Sequence, residues 1–259
     1  MSDLVQRLEA LAGTCSELSL PGGPIPRVEP PDEEAVAELL RLAARDGLVV
    51  LPVGAGTKLD WCHPAERVDF ALSTRRLAGV VSYEPGDGTV SARAGTPLAE
   101  LRRTVRAGGH HLTPEVPTPE GAAGPTLGGV VAAAHSGLDR LRHGPLRNHL
   151  LGVRAALPDG SLTKSGGQLV KNVTGYDLHR LYCGSHGSLC VLLEASLRLF
   201  PLPAGELALT AELGGRREAL EAARRVLATA ARPVAVLALS LIHISEPTDL
   251  STSRMPSSA

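Results

Sequence analysis

A glycine-punctuated turn that follows an apolar run is the part of this sequence best suited to bind a charged ligand. The run Val49–Val53 leads into Gly54–Lys58, with the sequence G-A-G-T-K. Glycines at the end of a strand let the backbone approach a ligand closely and present N–H groups to an anion, typically a phosphate. Two better-known loops do not fit, because the G-x-G-x-x-G fingerprint needs glycine where Leu59 stands and a P-loop needs lysine directly after Gly56. On its own, the segment is equally compatible with a structural turn.

Three more glycine-rich segments follow the first one. They are G-P-T-L-G-G-V-V-A-A-A-H-S-G at Gly124–Gly137, G-G-Q-L-V-K-N-V-T-G-Y-D-L at Gly166–Leu178 and G-S-H-G-S-L-C-V at Gly184–Val191. In this order, the four segments resemble the FAD-binding domain of the vanillyl-alcohol oxidase family, often called the PCMH-type domain, and within it the FAD-binding subunits of bacterial glycolate oxidases. The resemblance covers roughly Val28–Pro203, and Lys171–Leu178 is its most specific part.

The resemblance implies that the chain binds FAD through these segments. FAD carries a pyrophosphate, and buried anions must be paired or hydrogen-bonded, which the N–H groups of the first glycine loop can achieve. Some members of the family attach FAD through a histidine in that loop, but Gly54–Thr57 contains neither His nor Cys, so we predict noncovalent FAD. The residues that the resemblance assigns to the cofactor are Pro52, Val53, Gly54, Ala55, Gly56, Thr57, Lys58, Pro117, Thr126, Leu127, Gly128, Gly129, Ala132, Ser136, Gly137, Arg142, Gly144 and Val191.

The sequence departs from the family pattern at three positions. Ala55 stands where many members have Gly, and its methyl group disfavours a positive φ. Ala134 replaces an Asn that is frequent in the glycolate oxidase type, which removes one polar contact. His143 replaces the Tyr of an R-Y-G pattern, and we expect it to be a packing residue because a functional histidine needs a specific partner.

Composition argues against several other classes of function. A net charge of −1 does not suit binding to nucleic acid or an anionic membrane, and 2% aromatic residues do not suit base stacking. No apolar run follows Met1, so we expect neither a signal peptide nor a membrane anchor. The four cysteines include no C-x-x-C pair, which argues against disulfides, zinc or an iron–sulfur cluster and favours the cytoplasm. His110-His111 has no carboxylate or cysteine at ligand spacing, so we predict a loop and no metal site.

Periodicity and turn residues predict a two-lobed α+β fold, which the family resemblance also implies. The first lobe, about residues 28–77, is predicted to contain the helix Asp32–Asp46 and the strands Leu48–Pro52 and Arg67–Leu72. The second lobe, about residues 78–203, begins with a hairpin around the turn P-G-D-G. Its predicted elements are the strands Val80–Glu84, Thr89–Ala94, Leu150–Leu157, Ser161–Lys164 and Leu189–Leu199 and the helix Leu98–Ala107.

After a predicted FAD-binding domain of residues 1–203, residues 204–240 resemble the opening of a second α+β domain, a cap. We predict a strand at Glu206–Leu213, a helix at Arg216–Ala231 and a strand at Val234–Leu239. In the resembled family, such a cap closes the substrate face. Residues 241–259 break the pattern and consist mainly of small and polar residues, so we expect a disordered or foreign tail on a truncated chain.

Three functions stay open at this level. The resemblance favours an FAD-linked oxidoreductase acting on CH–OH groups, specifically the flavin subunit of a glycolate oxidase-like complex that oxidises a small 2-hydroxy acid. Such a complex implies a second flavin subunit and an iron–sulfur subunit as partners. The alternatives are a noncatalytic FAD-binding or scaffold subunit or an inactive fragment, and a nucleotide-sugar reductase of the same fold, against which Lys171–Leu178 argues. No catalytic residue is assigned, because we expect Tyr176, Asp177 and His179 to be structural.

Overall fold

A computed structural model describes residues 2–61, 65–116, 118, 124–167 and 176–238 of the chain. The chain divides into two compact units, Met1–Ala204 and Gly205–Ala259. The first unit contains two lobes, each with its own sheet and its own buried core, and this mixture of helices and sheets confirms the predicted α+β class. None of the helices that the structure describes is long and apolar enough to cross a membrane.

Lobe 1 is built on a four-stranded sheet. Its elements are α1 (Ser2–Ala12), β1 (Cys15–Leu20), β2 (Gly23–Val28), α2 (Glu33–Asp46), β3 (Val50–Val53) and β4 (Phe70–Ser73). The strand order is β1-β2-β4-β3, with β1 antiparallel to β2 and with β4 parallel to both β2 and β3. The later part of the lobe, from α2 to β4, contains the predicted helix and both predicted strands, with strand boundaries shifted by one to three residues.

Helix α2 forms where the sequence predicts it because both of its ends carry local signals. The carboxylate of Asp32 accepts a hydrogen bond from the backbone N–H of Ala35 at 2.8 Å, which caps the first turn. Gly47 ends the helix with φ of 64°, a conformation that costs glycine little. Val36 and Leu39 on the apolar face are fully buried in the core cluster of lobe 1, which also contains Phe70 and Leu72 of β4.

The hairpin of β1 and β2 was not predicted, and its sequence explains why. Pro24 and Pro26 lie inside β2, and proline in a run normally argues against a central strand because it cannot donate to a neighbour. Here the parallel pairing of β2 with β4 involves only Arg27 and Val28, after both prolines. The proline-containing part of β2 pairs with β1 alone, so the missing donors are tolerated.

Lobe 2 is built on a five-stranded antiparallel sheet of order β5-β6-β10-β8-β9. Its elements are β5 (Val80–Glu84), β6 (Thr89–Arg93), α3 (Leu98–Ala107), β7 (His110–His111), α4 (Leu127–Ala132), α5 (Arg140–His143), a 3₁₀ turn (Leu146–Asn148), β8 (Leu150–Ala156), β9 (Leu162–Gly166), α6 (Leu178–Tyr182), β10 (Val191–Arg198) and β11 (Phe200–Pro201). The predicted hairpin of β5 and β6 and the predicted helix α3 are confirmed.

Strand β10 connects the cores of the two lobes. Side chains alternate along a strand between the two faces of a sheet. Val191 and Leu193 belong to the buried cluster of lobe 1, whereas Leu192 belongs to that of lobe 2. The register shift between Leu192 and Glu194 changes the alternation, so Ala195 also belongs to the cluster of lobe 2. The central strand of one lobe thus contributes side chains to both cores.

The prediction of a loop at His110-His111 is wrong. These residues form the short strand β7, which pairs antiparallel with β11 so that Phe200 lies opposite His111 and Pro201 opposite His110. His111 Nε2 lies 2.7 Å from the buried carboxylate of Asp139. The ring of His143 packs against that of Phe200, with the two ring centroids 4.4 Å apart, which is consistent with the expected packing role. The partner strand is 90 residues away in sequence, which a local pattern could not reveal.

The second unit contains one described helix, α7 (Arg216–Leu227), inside the predicted range Arg216–Ala231. The strand predictions on either side are wrong for the described residues, because residues 206–213 and 234–238 have no strand conformation. A strand needs a hydrogen-bonded neighbour, and the described part of this unit provides none. The predicted tail, residues 241–259, lies outside the described residues, as does Leu239.

Stability should fall as the pH drops from about 7.5 to about 5.5, since four histidines resist protonation in the folded state. Burial lowers the pKa of His135, His143, His149 and His179 below the ordinary value of 6.5. The unfolded chain therefore binds more protons below about pH 6.5, and the free energy of unfolding decreases there. Urea midpoints measured across this range should decrease monotonically.

His149 offers the sharpest control for this pH dependence. Its Nε2 is buried without a hydrogen-bond partner among the described residues, so protonation is costly. The variant His149→Gln should lose less stability between the two pH values than the unchanged chain, whatever its absolute stability. Asp46 does not contribute to the change in this range, since Arg45 and Arg7 lower its pKa to about 2 and its stabilising effect is lost only in stronger acid. A midpoint that stays constant across the range would contradict the prediction.

Candidate cofactor-binding site

A cavity of about 820 Å³ lies between the two lobes of the first unit. This volume is toward the upper end of the roughly 300–1,000 Å³ that is typical of ligand sites. Lobe 1 contributes the tip of the β1–β2 hairpin, residues 20–23, the end of β3 with the loop after it, residues 51–60, and residues 65–68. Lobe 2 contributes the start of α4 and residues 186–188 and 190–192. Two glycine-rich segments that contribute to the lining, 54–58 and 126–129, were predicted from the sequence to bind the cofactor.

The first glycine loop meets the start of α4 with no room for a side chain. A Cβ placed on Gly54 would lie 2.2 Å from Thr126 Oγ1. That hydroxyl is held in place, because it accepts a hydrogen bond from the backbone N–H of Gly129 as the N-cap of α4. Gly56 has φ of 77°, a left-handed conformation that favours glycine. The two glycines therefore allow the backbone of lobe 1 to approach lobe 2 and turn along the cavity.

The start of α4 is fixed to the sheet of lobe 2. Gly128 N donates to Ala94 O at 2.8 Å, and Leu127 N donates to Thr96 O at 2.9 Å. A Cβ on Gly128 would lie 2.7 Å from the Cβ of Ala94, so this position also requires glycine. The helix consequently lies against the turn between β6 and α3, where Leu127 is fully buried beneath the cavity.

A third wall comes from the segment before β10. Gly184 N donates to Val131 O at 3.1 Å, and His186 N donates to Ala132 O at 2.9 Å. Gly187, with φ of 80°, faces Pro52, whose Cγ would lie 3.1 Å from a Cβ on that glycine. This segment thus connects the end of α4 to strand β3 across the cavity.

Among the described residues, four Lys, Arg, Asp and Glu side chains line the cavity, and they are Lys58, Asp60, Glu66 and Arg67. Arg67 is paired with Asp69 at 2.9 Å. Lys58 Nζ contacts Thr57 Oγ1 at 3.3 Å, and no carboxylate pairs with this lysine in the described part of the chain. Burial lowers the pKa of Lys58, which means that its charge is partly desolvated. Burial also raises the pKa of the Cys190 thiol to about 12, so this cavity residue is neutral.

These features fit FAD. A dinucleotide needs a long cavity, close backbone approach at its phosphates and a cation to offset their charge. Gly54, Gly56 and Gly128 leave the backbone free of side chains along one wall, and Lys58 supplies the cation. Within the described residues, no group of three or more His, Cys, Asp or Glu side chains is arranged to hold a metal ion.

The structure places most of the predicted cofactor residues at the cavity. Those that line it are Pro52, Val53, Gly54, Ala55, Gly56, Thr57, Lys58, Thr126, Gly128, Gly129, Ala132 and Val191. Pro117 lies outside the described residues. The remaining five, Leu127, Ser136, Gly137, Arg142 and Gly144, are not among the lining residues. That any of these residues contacts the cofactor stays a prediction.

Three of those five have visible structural roles. Ser136 Oγ accepts a hydrogen bond from the N–H of Leu146 at 2.9 Å and is buried. Gly137 has φ of 67°, and a Cβ there would lie 1.8 Å from Glu115 O. Gly144 ends α5 with φ of 85°. Glycine and serine spacing in the sequence could not distinguish these backbone requirements from ligand contacts.

Several cavity residues were not predicted. The hairpin tip, residues 20–23, was missed together with the hairpin itself. Residues 186–188 belong to the glycine-rich segment Gly184–Val191, but Val191 was its only residue predicted to bind the cofactor. Of the residues expected to be structural, His179 is buried and its backbone N–H donates to Ser165 Oγ at 3.0 Å, whereas Tyr176 is 91% exposed.

Residues 24–166, more than half of the chain, match the family model described as FAD binding domain. The chain belongs to the FAD binding domain family. Its cofactor is FAD, as predicted. The chain is 34% identical over 180 residues to glycolate oxidase subunit GlcE of Escherichia coli (strain K12), covering 70% of this chain and 50% of that protein. It is 31% identical over 174 residues to D-lactate dehydrogenase of Archaeoglobus fulgidus, covering 67% of this chain and 38% of that protein.

A solved structure shares the fold of this FAD binding domain. It is alkyldihydroxyacetonephosphate synthase, which superposes with a TM-score of 0.57 and 24% identity over 70% of this chain and 32% of that chain. Similarity at this level shows the fold alone. The chain spans half or less of the length of these relatives.

The variant Gly54→Ala should disrupt the junction of the two lobes. Its methyl group would overlap Thr126 Oγ1, so we expect the free energy of unfolding to decrease by about 1–3 kcal/mol. FAD retained after gel filtration should decrease as well. Urea unfolding and the visible flavin absorbance measure the two effects.

Gly22→Ala is the matched control, because Gly22 lines the same cavity but a Cβ there would have nothing within 4 Å. In a Thr126→Ala background, which lacks both the helix cap and the overlapping oxygen, Gly54→Ala should cost less stability than it does in the unchanged chain. If Gly54→Ala behaves like Gly22→Ala in both measurements, the close approach of the two lobes does not matter for this site.

Proposed function

We propose that this FAD binding domain is the flavin-carrying part of an oxidoreductase that oxidises a small 2-hydroxy acid. The observation that carries the proposal is the cavity between the lobes, which is lined by the family's glycine-rich segments. Among similar proteins are a glycolate oxidase subunit, a D-lactate dehydrogenase and a D-2-hydroxyglutarate dehydrogenase of Rattus norvegicus, 33% identical over 68% of this chain. Glycolate, lactate and 2-hydroxyglutarate all carry a hydroxyl group beside a carboxylate.

The residues proposed to hold FAD are those at the junction of the lobes. The N–H groups of Gly54–Thr57 would donate to the pyrophosphate, and Lys58 would offset its charge. The start of α4, with Gly128 and Gly129, would let the backbone lie close to the flat ring system. When bound, FAD would supply the hydride-accepting ring for oxidation of the carbon that carries the substrate hydroxyl. The chain's own contribution is to position the cofactor and to exclude water between the lobes.

FAD attachment is proposed to be noncovalent. The glycine loop contains no nucleophilic side chain other than the Thr57 hydroxyl. The thiol of Cys190 also lines the cavity, but its pKa of about 12 keeps it protonated at neutral pH, and the thiol is far less nucleophilic than the thiolate. No proton acceptor for the substrate hydroxyl is assigned among the described residues.

The proposed partners follow from the relatives. GlcE of Escherichia coli and GlcD of Bacillus subtilis are both named as subunits of glycolate oxidase, and GlcD is 26% identical over 68% of this chain. We propose that this chain also works in a multi-subunit complex in the cytoplasm, with a second flavin subunit and an iron–sulfur subunit to carry electrons onward. Because these two relatives are named as subunits, a second candidate function is a noncatalytic FAD-binding subunit of such a complex. We propose that residues 204–240 begin a second domain.

The attachment of FAD has a simple test. The purified protein should be yellow, and acid precipitation should release free FAD into the supernatant while the pellet becomes colourless. A pellet that stays yellow would contradict noncovalent attachment. A folded protein that takes up no added FAD would contradict the cofactor site itself.

Substrate oxidation is tested by anaerobic titration of the FAD-loaded protein with glycolate, D-lactate and D-2-hydroxyglutarate. At least one of these acids should bleach the oxidised flavin spectrum, because a hydride from its hydroxyl-bearing carbon reduces the ring. Acetate and succinate, which lack the hydroxyl group, are matched controls and should leave the spectrum oxidised. If dithionite bleaches the flavin but no 2-hydroxy acid does, even with the partner subunits present, the noncatalytic function is the correct one.

A further inference from the structure

Lys58, which lines the cavity, lies in one cluster with Trp61 and His135, which are not among the lining residues. The rings of Trp61 and His135 have centroids 4.8 Å apart and are tilted by 48°. Lys58 Nζ lies 5.6 Å from the centroid of the Trp61 ring. Lys58 lines the cavity directly, and Ala133, two residues before His135, does so from the other lobe. The sequence assigned a cofactor role to Lys58 but none to Trp61 or His135.

Two polar groups of this cluster lack a strong partner in the described part of the chain. His135 Nδ1 is buried there without a hydrogen bond. Lys58 Nζ has one long contact, 3.3 Å to Thr57 Oγ1. A buried polar atom without a partner costs free energy, and a partly desolvated ammonium group costs more. Both costs would be relieved by an acceptor oxygen placed between the two side chains.

We propose that Lys58 and His135 together bind an anionic oxygen of the ligand that fills the cavity. An oxygen with negative charge accepts hydrogen bonds from an ammonium group and from an imidazole N–H at the same time. The proposal rests on the proposed function for the choice of ligand, and two sources of this oxygen exist, the diphosphate of FAD and the carboxylate of a 2-hydroxy acid. The diphosphate is favoured because Lys58 directly follows the glycine loop.

Ligand binding should then be coupled to a proton on His135. Burial lowers the pKa of His135, and the positive charge of Lys58 lowers it further. Lys58 is the charged group among the described residues whose field reaches this imidazole. An anion between them offsets that field and raises the pKa of His135, so binding takes up a proton and becomes tighter as the pH falls toward about 6.

The cluster contains its own reporter, since Trp61 is the single tryptophan of the chain. The full-length protein, freed of FAD, is titrated with inorganic pyrophosphate and, separately, with glycolate while Trp61 fluorescence is recorded. We expect a saturable change with pyrophosphate that is tighter at lower pH. Lys58→Met should weaken the response about tenfold or more, because a charge-assisted hydrogen bond is lost. His135→Gln should remove the share of the pH dependence that the imidazole contributes and leave only the share that comes from protonation of pyrophosphate itself.

Lys164→Met is the matched control, because Lys164 is exposed on β9 and does not line the cavity. It should bind pyrophosphate like the unchanged protein, and circular dichroism shows whether each variant is folded. A saturable response to glycolate alone would support the same pair of residues with the substrate carboxylate as its source. If neither anion changes Trp61 fluorescence while FAD still binds, the inference is overturned and the FAD site stands. Failure of FAD itself to bind would contradict the proposed function instead.

Discussion

The close approach of Gly54 to Thr126 is the constraint on which the rest of the first unit depends. A single missing Cβ lets the loop after β3 lie against the first turn of α4, and the Thr126 hydroxyl at that contact is already committed to capping the helix. The hydrogen bonds from Leu127 and Gly128 to the turn after β6 hold the helix from the other side. The backbone packing of the two lobes therefore sets the position of the cavity, which side chains such as Leu51, Val191 and Leu192 also line.

Electrostatics at this junction follow from the same packing. Backbone N–H groups bind an anion through their dipoles, although they carry no net charge. A cavity lined by glycine loops therefore needs few ionised side chains to accept a diphosphate. Among the described residues that line the cavity, Lys58 is the cation without a carboxylate partner. Burial partly desolvates its charge, so an anionic ligand would stabilise this charge better than the remaining water does. The match to the FAD binding domain family is consistent with this arrangement, since FAD carries two phosphates that need a binding site.

Local sequence signals predicted the elements whose ends are defined by local chemistry. Helix α2 has a capping aspartate and a terminal glycine, and the hairpin of β5 and β6 has a turn sequence, so both were placed to within a residue or two. Elements defined by distant partners were missed, as with β7 and the proline-containing β2. The same limit applies to the site, where the glycine loops were predicted but the hairpin tip was not. Gly137 and Ser136 were predicted to bind the cofactor, but they meet backbone requirements and do not line the cavity.

The position of β10 has a consequence for how the protein is made. This strand is nearly the last of the first unit in sequence, yet it occupies the middle of the five-stranded sheet and sends Val191 and Leu193 into the core of lobe 1. Neither lobe can be completed on the ribosome until residues 191–198 have emerged, and such non-local pairing slows folding. Since Val191 and Leu192 also line the cavity, the growing chain must finish both cores before FAD can be acquired, which makes cofactor loading a late step of biosynthesis.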